Sequence, residues 1–235
     1  MTDRETLAHA WLSRDPLGHT DITEALRRGL GEIAAATERG VLVSADEDSC
    51  GMLSCADLEA ALGLLAGKRF PLLAVHQPEL EIPLCRELRM ECWMRCRQAV
   101  YPGKEPPAET EENIRLLTGE HLDFLQENYR HEDSEYLSWL LERQALYGAF
   151  RAGELVGFIG KHAEGSMGLL EVLPAWRRQG VGESLERFLI ARELERGNVP
   201  YCQVFLDNQA SLALQRKLGL TLSEGTVIWL REPQN

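Results

Sequence analysis

The stretch Glu171–Leu189, EVLPAWRRQGVGESLERFL, narrows the fold more than any other part of the chain. An apolar run, SMGLLEVLP, closes on Pro174. Two arginines follow, and Gly180 and Gly182 lead into a segment with Val181, Leu185, Phe188 and Leu189 at i, i+4, i+7 and i+8. This reads as a strand, a glycine turn and an amphipathic helix. A helix N-terminus exposes free backbone N–H groups and the positive end of its dipole. Glycines let consecutive amides converge and admit a bulky anion close to the chain, and arginines add forked donors. The corner is read as a phosphate or pyrophosphate site, against the alternative of a helix entry decorated with arginine. No G-K-[ST] follows, which excludes a Walker A loop, and Leu185 stands where G-x-G-x-x-G needs its third glycine.

The rest of the chain divides at Tyr101–Asn113, YPGKEPPAETEEN, whose three prolines and run of acids read as a linker. Before it, the pattern predicts a helix over Ile22–Glu38 and two short strands in VLVSADEDSCGMLS. A helix in ADLEAALGLLAG, a buried strand FPLLAV, a helix in PELEIPLCREL broken early by Pro83, and a long strand RMECWMRCRQAVY follow. After it come helices in EHLDFLQENY and EDSEYLSWLLERQ and a hairpin turning at RAGE. Next are the corner, the strand YCQVFL, a helix with Asn208 as N-cap and Gly219 as C-cap, and a last strand TVIWL. Both halves end alike: hairpin, helix, short buried strand, helix, final strand. This echo points to a duplicated fold whose first copy has decayed, with two unrelated α/β segments as the alternative.

Strand, proline, R-x-x-G-x-G, amphipathic helix, short strand, N-x-x-S helix start and hydrophobic last strand together resemble the GNAT superfamily of acyl-CoA-dependent N-acetyltransferases. The resemblance covers roughly Asn113–Glu232. GFIGKHAEGSMGLLEVLPAWRRQGVG and DNQASLALQRKLGL look closest to a branch related to the glycine N-acyltransferases and their bacterial relatives. The resemblance implies an α/β fold with a mixed central sheet flanked by helices. It implies tandem modules: a degenerate one over 1–100, a linker over 101–113 and a competent acetyltransferase domain over 114–235. Acetyl-CoA is the implied cosubstrate, with no metal. Gln179, Gly180, Val181 and Gly182 would offer amides to its pyrophosphate, with Arg177 and Arg178 supplying charge. Leu170, Val172 and Leu173 would bond the pantetheine arm as an added strand, and Asn208 and Ser211 would touch the coenzyme or serve as N-cap residues alone.

Amide formation from a thioester needs a neutral amine, hence a general base, and a donor for the tetrahedral oxyanion. Glu171, an acid in the apolar run LLEVLP, is one candidate base. His162 and Glu164, in HAEGS at the neighbouring hairpin end, are rivals. Trp176 either stacks on the adenine or caps the core. Many members of the family carry a tyrosine seven residues beyond the asparagine, as general acid. Here that position is Gln215, which leaves solvent, Tyr147, Tyr201 or Ser211 to protonate the thiolate. In the first half the matching corner offers Ser54 and Asp57, and Asp57 opposes an anion.

The expected reaction is acetyl transfer to a primary amine, on a small molecule or a peptide, by direct attack in a ternary complex. A non-catalytic acyl-CoA sensor or scaffold, and an N-acyltransferase using a longer acyl-CoA, stay open. A net charge of −12 argues against nucleic acid and suits a cationic acceptor, or serves solubility alone. No apolar run reaches a membrane span, and MTDRETLAHAWLSRDP lacks a signal-peptide core, so a cytoplasmic location is expected. Six cysteines with no C-x-x-C pair are expected to be reduced thiols rather than metal ligands. An oligomer is left open.

Overall fold

A computed structural model describes residues 2–47, 49–108, 110 and 112–233. The first half runs α1 (Asp3–Leu12), α2 (Thr20–Arg28), β1 (Gly31–Thr37), β2 (Gly40–Ala45), β3 (Cys50–Cys55), α3 (Leu58–Leu65), β4 (Leu72–Val75), α4 (Glu81–Leu88) and β5 (Glu91–Val100). The second runs β6 (Asn113–Leu116), α5 (Leu122–Asn128), α6 (Ser134–Glu142), β7 (Leu146–Arg151), β8 (Glu154–Lys161) and β9 (Met167–Val172). It continues through α7 (Val181–Glu195), β10 (Tyr201–Phe205), α8 (Gln209–Lys217), β11 (Thr221–Leu222) and β12 (Val227–Arg231).

Two expectations are corrected, and one helix is added. The helix predicted over Ile22–Glu38 stops at Arg28, because Gly29 takes a left-handed conformation (φ 69°) and Leu30 N–H closes back on Ala25 O. Residues 31–37 form a strand instead. Pro83 does not break α4, since it lies in the first turn, where a missing N–H costs nothing. Helix α1 went unforeseen. Its signal is the box at Thr2, whose hydroxyl accepts from Glu5 N–H while the Glu5 carboxylate accepts from Thr2 N–H. The expected linker runs into β6 at Asn113; its Glu109 and Glu111 lie outside the described residues.

The strands make one mixed sheet in the order β1-β2-β3-β4-β12-β5-β10-β9-β8-β7-β6, with helices on both faces. Each half places its last strand beside the other half's inner strand. β12 pairs antiparallel with β4, and β5 pairs antiparallel with β10. β12 and β5 meet in the middle, also antiparallel. Side chains alternate across β12: Val227 and Trp229 join the core under α1 and α2, while Ile228 and Leu230 join the core under α3 and α4. On α7, Val181, Leu185 and Leu189 are fully buried against β7–β9, as their spacing requires.

A buried ionic knot also ties the halves. The Arg28 side chain is 8% exposed and donates to Glu24 (2.9 Å), Glu193 (3.1 Å), Gly165 O and Val199 O (both 2.9 Å). Burial pushes the Glu193 carboxyl up, but Lys161, Asn198 and Arg28 together hold it below its usual value. Arg28→Met leaves two buried carboxylates short of their cation. Urea unfolding at neutral pH should show a loss of about 3–5 kcal/mol. That deficit should shrink as pH falls through the carboxylate range, because a depressed carboxyl loses its contribution when protonated.

Candidate functional site

The site begins where β9 leaves its neighbours. On one side β9 pairs with β8 at Met167–Lys161, Gly168–Gly160, Glu171–Phe158 and Val172–Gly157, so Leu169 and Leu170 together oppose Ile159. This bulge holds Leu169 at φ 53°, a left-handed conformation unusual for leucine. On the other side β9 meets β10 at a single rung, Met167–Cys202. Beyond it the parallel strands part. A slot opens between residues 169–172 of β9, with Leu173 just past them, and residues 203–206 after that rung, with Phe205 and Leu206 exposed beside it. Strand edges do not stay empty without reason, because their N–H and C=O groups need partners. The first half has no such slot. β3 and β4 stay paired from Cys50–Leu72 to Leu53–Val75, and His76 N–H adds another bond to Leu53 O.

The slot leads to the N-terminus of α7. Gly180 caps that helix at φ 86°. A Cβ on Gly180 would meet nothing within 4 Å, so the glycine answers to backbone geometry. Ser184 N–H is bonded to Gly180 O, while the preceding first-turn amides point out of the helix. Arg178, itself at φ 63°, is exposed and forms no ion pair among the described residues. Arg177 is turned back. Its Nε donates to Val172 O (2.9 Å) and its Nη2 to Glu171 Oε1 (2.9 Å), and Val172 N–H lies 3.2 Å from the same carboxylate oxygen. Glu171 and Arg177 thus cover the Val172 rung of the slot. Leu173 N–H is donated to Val156 O, which leaves only its carbonyl. The sequence reading missed Arg151. It donates to Gln179 Oε1 and Gln179 O (both 3.2 Å), is held by Glu112, and lies over Trp176. Trp176 and Gln179 are thereby braced beside the corner.

His162 lies next to the bulge at the inner end of the slot. A Cβ on Gly168 would come within 2.5 Å of His162 Nε2, so only glycine lets the ring sit there. His162 Nδ1 is 3.3 Å from Tyr136 Oη and 3.9 Å from Glu132 Oε1. Glu132 is the residue sequence reasoning passed over. Burial, then Asp133 and Glu164, pushes its carboxyl up to about 7. Its only sequence mark is an acid run, HEDSE, ahead of a helix. Glu164 is pinned by the Ser166 hydroxyl, and its backbone carbonyl accepts from Tyr201 Oη (3.0 Å). Of the three expected catalytic residues, His162 stands with an unforeseen acid, Glu164 bonds its own loop, and Glu171 bonds Arg177.

Asn208 Oδ1 accepts from Ser211 N–H (3.0 Å), an N-cap bond. Gln215 is 2% exposed and faces Glu186, also 2% exposed, which it hydrogen-bonds. Burial pushes the Glu186 carboxyl up to about 7. Gln215 Oε1 has no partner, and a proton on Glu186 would provide one. Tyr147 Oη accepts from Arg196. The six thiols are free, and Cys202 is buried with its thiol pushed well up, unsuited to act as a nucleophile. Among the described residues no group of three or more His, Cys, Asp or Glu could hold a metal ion, and no helix is long and apolar enough to cross a membrane.

A split parallel strand pair feeding a glycine-capped helix defines a class, and comparison with known families agrees. Residues 111–220 match the model of the Acetyltransferase (GNAT) family. Acyl-CoA-dependent N-acyl transfer is the activity of that family, with acetyl-CoA as cosubstrate. Solved structures extend the likeness over both halves. A putative GNAT acetyltransferase from Novosphingobium aromaticivorans is 18% identical with a TM-score of 0.62, over 93% of this chain and 99% of its own. A GCN5-related N-acetyltransferase from Kribbella flavida is 14% identical with a TM-score of 0.57, over 94% and 95%. A GCN5-related N-acetyltransferase-like protein from Streptococcus suis is 15% identical with a TM-score of 0.56, over 95% and 98%. At such identities these structures speak for the fold. A search of curated proteins finds no match.

Proposed function

We propose that the chain moves an acetyl group from acetyl-CoA to a primary amine by direct attack in a ternary complex. The observation that carries this reading is the slot: a strand edge that pairs with β10 at a single rung, ending at a glycine-capped helix N-terminus beside Arg178, which forms no ion pair among the described residues. An extended pantetheine arm fits along Leu170 and Val172 as a further strand. The amides from Gln179 to Gly182 face the pyrophosphate. To use the Val172 rung the coenzyme must displace Arg177, which then turns toward the phosphates. Asn208 and Ser211 stand at the facing helix start.

The thioester would lie at the bulge, where strained backbone at Leu169 presents amides out of the ladder. The amine nitrogen attacks the carbonyl carbon, the C–S bond breaks, and the amine proton passes to His162 or Glu132. The thiolate takes its proton from solvent, since Gln215 faces Glu186. A cationic acceptor has an approach suited to it: an open cavity of about 310 Å³ lined by Asp46, Glu47, Asp133 and Glu135, with Tyr136 and Trp139 as aromatic walls. The tandem reading of the halves is part of the proposal, and the zipped β3–β4 pair supports a first half without coenzyme.

Calorimetric titration with acetyl-CoA, followed by thiol release over an amine panel, tests the reading. Binding without release with any amine would favour the acyl-CoA sensor, to which Gln215 lends support. Faster release from longer thioesters would favour a broader N-acyltransferase. Glu171 is assigned to holding Arg177. Glu171→Gln should leave kcat within a factor of about three and tighten coenzyme binding by up to about fivefold, the worth of one partly exposed ion pair. A large fall in kcat at unchanged affinity would return the base role to Glu171.

A further inference from the structure

Residues 162–166, which join β8 to β9 and carry His162, each take part in a backbone hydrogen bond. His162 N–H is donated to Ser166 O (2.9 Å) and Gly165 N–H to His162 O (3.0 Å), which closes the turn. Ala163 N–H is donated to Tyr136 Oη (3.2 Å), and Tyr201 Oη to Glu164 O (3.0 Å). Gly165 O accepts from Arg28 Nη1 (2.9 Å), and Arg28 stands on α2, 137 residues earlier in the chain.

The first half is pressed against this loop. A Cβ on Gly165 would come within 2.8 Å of Arg28 Nη1 and 2.9 Å of Leu30 Cδ1. The same guanidinium donates from Nη2 to Val199 O (2.9 Å), while Glu24, one turn earlier on α2, accepts from Val199 N–H (3.0 Å). Helix α2 therefore grips residue 199 by both backbone groups. Two residues further on, Tyr201 reaches the loop at Glu164 O, and the guanidinium lies over its ring at 5.7 Å. Arg28 thus sets the loop twice, directly at Gly165 and through the segment that carries Tyr201.

His162 depends on this frame. The polar contacts of its ring are long, 3.3 Å to Tyr136 Oη and 3.9 Å to Glu132 Oε1, so the imidazole stands where its backbone puts it. Proton transfer needs that ring within hydrogen-bond reach of the amine, and a misplacement of about 1 Å costs about 10² in rate. Arginine suits the task because its planar fork spans two carbonyls, which the compact ammonium of lysine does not match. We propose that Arg28 is a positioning residue for His162, so that α2 of the first half sets the imidazole at the inner end of the slot. The effect on rate rests on the acetyl-transfer reading; the placement of the ring does not.

The test compares Arg28→Lys with Leu84→Ala in the full chain, labelled with ¹⁵N in histidine, with circular dichroism confirming that both are folded. Arg28→Lys keeps a cation for Glu24 and Glu193 but gives up the fork. Leu84 is fully buried in the core under α3 and α4, which holds none of residues 162–166, and its truncation also lowers stability. The His162 ring-nitrogen resonances, assigned with His162→Gln, should move in Arg28→Lys and stay in place in Leu84→Ala. In thiol release, kcat should fall about 10- to 100-fold in Arg28→Lys, with KM for acetyl-CoA within about twofold, and should hold in Leu84→Ala. If Arg28→Lys does not fold, Leu30→Ala, an exposed position outside the ion pairs, takes its place and should move the same resonances. Unmoved His162 resonances, equal movement in Leu84→Ala, or an unchanged kcat in an active enzyme would each overturn the proposal. A wild type that releases no thiol with any amine would overturn the transfer reading alone, and the resonances would still decide what places His162.

Discussion

Glutamate at position 180 should weaken acetyl-CoA binding by about 100-fold or more. Gly180 is held at φ 86°, and open space surrounds the place a side chain would occupy. A glutamate there suffers left-handed strain of about 1–2 kcal/mol and sets a carboxylate beside the amides meant for the pyrophosphate. At ~5 Å and an effective dielectric constant of ~20, each phosphate charge would be repelled by about 3 kcal/mol, which is about two decades in affinity. The core under α7 is untouched, so the melting temperature should fall by only a few degrees. Calorimetry on wild type and variant reads both quantities. Equal affinity in the two would move the coenzyme away from this corner.

The second large effect is expected at Glu132. If this carboxyl takes the amine proton, directly or with His162, Glu132→Gln should lower kcat by about 10²- to 10⁴-fold at little change in coenzyme affinity. The wild-type rate should rise with pH through about 7, where Glu132 loses its proton. Stability runs the opposite way. Its carboxyl is raised from 4.5 to about 7, so between those values the folded chain holds a proton that the unfolded chain has lost. Stability therefore falls as pH rises through that window, by up to about 3 kcal/mol. The glutamine variant should lack this fall and be the more stable protein at pH 8. A variant that is slow but no more stable at pH 8 would mean that Glu132 is not buried as a strained acid.

The corner was legible because its signals are local. Pro174, Gly180, Gly182 and the apolar spacing of Val181, Leu185 and Leu189 each act within a few residues, and each lies where the pattern set it. What could not be read is set by partners distant in the chain. Leu169 looks like any strand leucine, and only pairing with β8 shows that it stands in a bulge. Glu171 looks like a lone acid in an apolar strand, and only the fold shows that Arg177 bonds it. Glu132 looks like surface charge until the fold brings Tyr129 and His162 beside it. The helix expected through Glu38 fails for a nearer reason: the apolar period continues past Gly29, and the glycine overrides it.

The exchange of last strands has a consequence for how such a chain comes to be folded. β4 gains its inner neighbour only when residues 227–231 have been made, since β12 fills the place beside it. During synthesis the first half therefore waits with one edge of β4 and both edges of β5 unmet. Contacts spanning more than 130 residues must form before either half is complete, which makes for slow folding and a period of exposure to wrong partners. A chain cut at the proline-rich stretch near residue 105 would make the wait permanent. Each fragment would carry an open edge of the shape the other fills, and mixing the two should restore the sheet.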